Sequence, residues 1–208
     1  IKENMESARR MYRMSLKLML LLALPIAALT TFAAPALVGL LGGPEFLPQG
    51  AVALQVVIWS IPFGWLNSVT NYVLIALGME RVQPRAFAIA VGFNVVFNWL
   101  LIPRYSFVAA GIITVLSELV LLAIFAYFLR RRGAGIDWLR LIARPVFLTL
   151  VMLGVMWLGN QLHLIVALVL GVAVYAIGLV VLHIIEPRER EAIKAILPGA
   201  LTRRLGWV

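Results

Sequence analysis

An all-α bundle of about six membrane-spanning helices is the architecture to expect from this chain, on three grounds. Five stretches, 18–44, 46–79, 86–103, 119–129 and 145–185, contain no Asp, Glu, Lys or Arg. A run of about 18 or more uncharged apolar residues is long enough to cross a hydrocarbon core of about 30 Å as a helix. Composition agrees: 63% of residues are hydrophobic and 13% charged, with a mean hydropathy of +1.01, well outside the range of water-soluble domains. Third, the basic residues fall in the short gaps between apolar stretches and form no continuous face, which is the pattern of membrane topology and not of nucleic-acid binding.

Proline and glycine divide the apolar mass into spans. The first helix is predicted over 14–41 and ends at Gly42-Gly43-Pro44; the second follows Pro48 and runs to about Leu77. Pro62 lies inside that second helix, and Ile61-Pro62-Phe63-Gly64 is expected to kink it, because an internal proline removes a donor and collides with the preceding turn. The third helix covers 84–102 and is closed by Pro103; the fourth covers 107–129 and is closed by Arg130-Arg131-Arg132-Gly133. The uncharged region 145–185 is twice one span, and Gly159-Asn160-Gln161 supplies the turn between a fifth and a sixth helix. Beyond it, Glu186-Pro187-Arg188-Glu189 opens a basic tail over 186–208 that reads either as an interfacial amphipathic helix or as a frayed end.

The basic residues orient the bundle. Seventeen of eighteen fall on one side of the alternating spans, Arg104 alone on the other, so both ends of the chain are expected in the cytoplasm. The chain opens Ile1-Lys2-Glu3-Asn4 without an initiator Met and reads as a piece of a longer protein. Cysteine is absent, which removes disulfides, thiolate nucleophiles and Cys-ligated metals. No Ser/His/Asp arrangement, paired carboxylates, phosphate-cradling glycine motif or His/Asp/Glu metal cluster is present, so no enzyme, cofactor or metal site is expected.

Polar side chains at bilayer depth are costly and are the candidates for function. Glu118 is the one charged residue expected at bilayer depth, away from the ends of the predicted spans, with Thr114 one turn before it and Ser117 beside it. A carboxylate there could carry a proton, bind a coupling cation or hold a polar substrate group; protonated and hydrogen-bonded, it could equally tie two helices together. Asn67 and Asn71, and Asn94 and Asn98, repeat a one-turn spacing, so each pair points one way. Amides suit sugar hydroxyls and interhelical bonding alike, and bonding is the simpler role for Asn94 and Asn98. Asn67 and Asn71 follow the Pro62 kink in company with Ser60, Ser68 and Thr70, which suggests a water-filled path. Glu118, Asn67, Asn71, Thr114, Asn94 and Asn98 are therefore the candidate substrate or ion path. Trp59, Trp65, Trp99 and Trp157 suit packing or interface anchoring better than sugar stacking.

Several segments together resemble the second half of the oligosaccharide flippases, in the superfamily that also holds the multidrug-and-toxin extruders and the peptidoglycan-lipid flippase. They are Arg9-Arg10 leading into Leu24-Pro25-Ile26, then 34–42 (APALVGLLG), 46–51 (FLPQGA), 71–78 (NYVLIALG), 94–103 (NVVFNWLLIP) and 109–114 (AAGIIT). The resemblance spans about 9–132, and it departs from the family where 108–111 reads VAAG in place of glycine-alanine-alanine. It implies the last six spans of a two-lobe transporter: 1–132 would be four second-lobe helices, 133–185 an accessory helix pair and 186–208 a cytoplasmic tail. It also implies translocation of undecaprenyl-pyrophosphate-linked oligosaccharide across a bacterial inner membrane for surface polysaccharide assembly. The partners would be that lipid-linked sugar, membrane lipids and a missing N-terminal lobe of the same chain. Basic residues to neutralise a pyrophosphate are absent from the spans and would lie in that lobe. A cation-coupled drug or toxin exporter of the same superfamily is the alternative, and a non-transporting structural subunit a second.

Overall fold

The computed structural model describes residues 2–182 and Ile184, and among them every regular element is helical. The elements are α1 (Lys2–Leu41), a short 3₁₀ turn (Pro44–Phe46), α2 (Gln49–Val57), α3 (Ser60–Ala76), α4 (Val82–Arg131), α5 (Trp138–Asn160) and α6 (Leu164–Val181). The expected interfacial helix over 186–208 lies outside the described residues.

Five helical stretches are long and apolar enough to cross a membrane: Glu6–Leu41, Gln49–Ala76, Val82–Arg131, Trp138–Asn160 and Leu164–Val181. The third of these is 50 residues long, about 75 Å if straight, more than twice a hydrocarbon core. It is not straight. Ser106 breaks it with φ 54° and ψ −142°, and the two arms, 82–105 and 107–131, fold back on each other. Phe87 meets Phe125 edge to face at 6.2 Å, and Asn94 Nδ2 donates to Ser117 Oγ at 3.0 Å. Both pairings are centred on Ser106, so the arms are antiparallel and cross separately, which makes the expected six spans.

Three boundaries differ from expectation. Helical hydrogen bonding continues through Pro103 to Tyr105, so the turn lies at Ser106 and not at the proline. The break between α2 and α3 is a turn at Ile58 and Trp59, one turn before the 61–64 segment. Pro62 removes the donor that the Ile58 carbonyl would have used, and Ile61 N supplies it instead at 3.1 Å. Pro62 itself sits in the first turn of α3, where a missing amide hydrogen costs little. The fifth helix begins at Trp138, two turns ahead of Pro145, because Asp137 caps it: Oδ1 accepts from Arg140 N at 3.3 Å. The added turns are amphipathic, burying Leu141 while Arg140 and Arg144 remain exposed.

Helix ends α3 and α4 are closed alike. Gly78 (φ +67°) and Gly133 (φ +78°) adopt the left-handed conformation. The residues after them donate back across the turn, Met79 N to Leu74 O at 2.9 Å and Ala134 N to Leu129 O at 3.0 Å, the Schellman arrangement that a side chain at those glycines would strain.

Two apolar clusters hold the bundle. One gathers α1, α3, α4 and the start of α5 through Tyr12, Leu16, Leu66, Leu74, Met79, Leu121, Phe125, Leu129 and Leu141. The other joins α5 and α6 to α1 through Leu21, Ala28, Leu148, Met152, Met156 and Tyr175. Tyr12 Oη meets Thr70 Oγ1 at 3.0 Å and Gln55 Nε2 meets Thr31 O at 3.1 Å, so α1 runs antiparallel to α2 and α3 and its start lies by the end of α3. Gly111 brings α4 against α2: a Cβ there would lie 2.9 Å from Val56 Cγ1.

Candidate functional site

Glu118 and Asn67 meet. The spacing that sets Asn67 on the inner face of α3 also buries Leu66, Thr70 and Leu74, and leaves the Asn67 side chain only 5% exposed. Its Nδ2 donates to Glu118 Oε2 at 2.7 Å and to the Glu118 backbone carbonyl at 2.9 Å. One amide therefore grips both the side chain and the main chain of a half-buried glutamate on α4. Contacts of Val56 with Gly111 and of Gly64 with Glu118 show that α2 and α3 run parallel to the second arm of α4, so the pair joins two spans of the same direction. Among the described residues no donor reaches Asn67 Oδ1, or Asn71 Oδ1 one turn further on.

A second polar group lies on the neighbouring face of the same arm. Asn98 Nδ2 donates to Asn94 Oδ1 at 2.9 Å, Asn94 Nδ2 to Ser117 Oγ at 3.0 Å, and Ser117 Oγ to Ile113 O at 2.7 Å. Ser117 and Glu118 are adjacent in sequence and about 100° apart on the helix, so one arm of α4 turns a hydroxyl to its own hairpin partner and a carboxylate to α3. Asn98 Oδ1 is buried with no donor among the described residues.

The remaining candidates stand apart. Thr114 Oγ1 donates to Ala110 O at 2.8 Å, within its own helix, and does not join Glu118. Ser60 bonds back to Val57 O. Thr70 is fully buried and bonded to Tyr12 Oη at 3.0 Å and to Leu66 O at 2.6 Å, so it fastens α3 to α1 and opens onto no path. Tyr12 was not among the sequence candidates; its place at the edge of a basic segment gave no sign that its hydroxyl reached Thr70.

A cavity of about 430 Å³ opens between α1, α3, α4 and α5, lined by Leu20, Leu24, Trp59, Pro62, Phe63, Leu66, Leu119, Leu122, Trp138 and Ile142 among others. Its walls are apolar, and none of the candidate path residues Glu118, Asn67, Asn71, Thr114, Asn94 and Asn98 is among its lining residues. Among the described residues no three His, Cys, Asp or Glu side chains come together as a metal site. His163 instead caps α6, its Nδ1 accepting from Ile165 N at 3.2 Å.

Comparison with known proteins places this geometry. Residues 2–100 match the MatE family. An uncharacterized membrane protein of Methanocaldococcus jannaschii is 27% identical over 112 residues, covering 54% of this chain and 22% of the relative. Among solved structures, the lipid II flippase MurJ in an inward closed conformation shares the fold with a TM-score of 0.75 at 13% identity, over 86% of this chain and 40% of that one. The chain thus spans well under half the length of either. Over residues 2–100 the sequence matches the MatE family, within a fold that the flippase structure shares.

Proposed function

We propose that this chain forms the later spans of a transporter that moves undecaprenyl-pyrophosphate-linked oligosaccharide across a bacterial inner membrane, toward surface polysaccharide. The observation that carries the reading is the fold shared with a lipid II flippase over 86% of the chain. In this reading 1–132 contribute four spans to one lobe, 133–185 are an accessory pair and both ends face the cytoplasm. The packing supports that division, since α5 and α6 pair with each other and dock chiefly on α1. Asn67 and Glu118 are the polar centre of the lobe, with Asn94, Asn98, Thr114 and Asn71 along the same helices as the substrate or ion path.

A carboxylate held by a single amide at bilayer depth is also what cation coupling needs, so a cation-coupled drug or toxin exporter is the second reading. Expression of the full-length parent gene in a flippase-null bacterium, scored by surface polysaccharide, separates them. The flippase reading expects rescue by the parent and loss of rescue in a well-expressed Glu118→Gln variant. Rescue by both keeps the function and leaves Glu118 as a helix tie. Failure of an expressed parent across several sugar backgrounds turns the assignment to the exporter.

A further inference from the structure

Helix α1 carries two prolines at membrane depth, Pro25 and Pro35. Proline has no amide hydrogen, so each frees the carbonyl four residues earlier from the helical ladder, and in hydrocarbon that oxygen finds no water. The freed carbonyls belong to Leu21 and Thr31. Side chains of two other helices take up both of them. Tyr175 of α6 donates its hydroxyl to Leu21 O at 2.9 Å, from 154 residues away in sequence. Gln55 of α2 donates Nε2 to Thr31 O at 3.1 Å. Tyr175 is 6% exposed, among Leu148, Met152 and Ala28. Thr149 of α5, bonded back to Pro145 O at 2.9 Å, lies beside its hydroxyl. An aromatic ring alone would fill that space; the hydroxyl's own hydrogen goes to the Leu21 carbonyl.

We propose that α1 is a two-hinged helix held by interhelical latches, Tyr175 fastening the α5–α6 pair at the Pro25 hinge and Gln55 fastening α2 at the Pro35 hinge. Each latch exists because its proline leaves an acceptor open. Releasing the Tyr175 latch lets the α5–α6 pair move against the helices docked on the other side of α1; releasing the Gln55 latch frees the outer end of α1 from α2. The device does not depend on what, if anything, the protein transports.

The logic of the latch gives a test that plain packing fails. Pro25→Ala supplies an amide hydrogen at residue 25, the Leu21 carbonyl regains its helical donor, and Tyr175 loses its task. The full-length parent protein in lipid nanodiscs is measured by backbone hydrogen–deuterium exchange over residues 18–30. Tyr175→Phe is expected to speed exchange there about tenfold, the factor equivalent to a hydrogen bond of ordinary net strength. In the Pro25→Ala background the same change is expected to alter exchange by less than about twofold, the scatter of independent sites. Gln55→Leu, read over 28–38 with and without Pro35→Ala, repeats the test at the second hinge. Equal acceleration by Tyr175→Phe in both backgrounds, or none in either, overturns the proposal. If Tyr175→Phe cannot be recovered from membranes, recovery of the double variant supports the latch; loss of the double variant where Pro25→Ala alone is recovered overturns it.

Discussion

Asn67 places one amide nitrogen between two acceptors of a single residue, so its removal strips a donor from both the Glu118 carboxylate and the Glu118 carbonyl. Asn67→Ala is expected to lower stability in detergent by about 1–3 kcal/mol, the penalty for leaving a buried polar group without its partner. Glu118→Gln retains an acceptor for the same nitrogen and is expected to lose much less. Denaturant titration of the two single variants and the double variant checks this, and additive losses would show that the pair is not coupled. Ser106 makes a second test at this scale. Its φ of 54° with ψ of −142° belongs to a region that glycine alone occupies without strain. Ser106→Gly is expected to raise stability by about 1 kcal/mol and Ser106→Val to lower it, read as shifts of the unfolding midpoint. The candidate site was half legible in the sequence: spacing along one helix put Asn67 on one face, and charge alone singled out Glu118. Which helix each would meet depended on packing between spans, and no periodicity encodes that. For the same reason Thr114, one turn from Glu118, reads as part of a polar stripe although its hydroxyl bonds back to its own helix, an outlet that threonine always has.

Helices α5 and α6 show how small residues set an interhelical distance where hydrophobic exclusion of water cannot. Gly171 receives Met156, and a Cβ placed there would lie 2.5 Å from its Cγ; Gly178 receives Leu148 in the same way, and Gly159 abuts the Ala167 backbone at 3.0 Å. A Cβ placed at Gly154 would meet nothing within 4 Å beyond its own helix backbone, among the described residues. Gly171→Leu is therefore expected to cost about 1–3 kcal/mol by overpacking, whereas Gly154→Ala is expected to add about 0.5–1 kcal/mol through helix propensity alone. Thermal unfolding of the two variants should move in opposite directions; a neutral Gly171→Leu would mean the pair separates freely. Elements were more legible than contacts. Glycines after α3 and α4 marked their ends because a left-handed residue was needed there. Pro103 misled, since a proline can ride within a membrane helix if its freed carbonyl is tolerated, and the sharper turn was left to a serine with no sequence signal. Asp137 was readable as a cap, but the basic residues after it masked the two turns that it starts.

At the scale of the molecule, charge and topology agree. With α1 antiparallel to α3, and α3 parallel to the second arm of α4, the flanking Arg9, Arg10, Arg13, Lys17, Arg81, Arg85, Arg130, Arg131 and Arg132 fall toward one end. Arg104 stands at the other, beside the Ser106 turn. Arginine and lysine tend to be retained on the cytoplasmic side during insertion, so from this segregation the arginine-rich end is expected to face the cytoplasm. The absence of cysteine allows that direction to be measured without background. In cells expressing the full-length parent, with any cysteines elsewhere in it replaced, Arg104→Cys is expected to react with a membrane-impermeant thiol reagent from outside. Arg132→Cys is expected to react only after permeabilisation. The two sites are joined by a single arm of α4, so opposite accessibility would show that residues 107–131 cross the bilayer by themselves and that the hairpin at Ser106 lies outside. Equal accessibility from one side would require that arm to lie along the surface, which its buried residues Ile113, Leu121, Phe125 and Leu129, the last three in the cluster shared with α3, do not permit in a bundle packed as this one is.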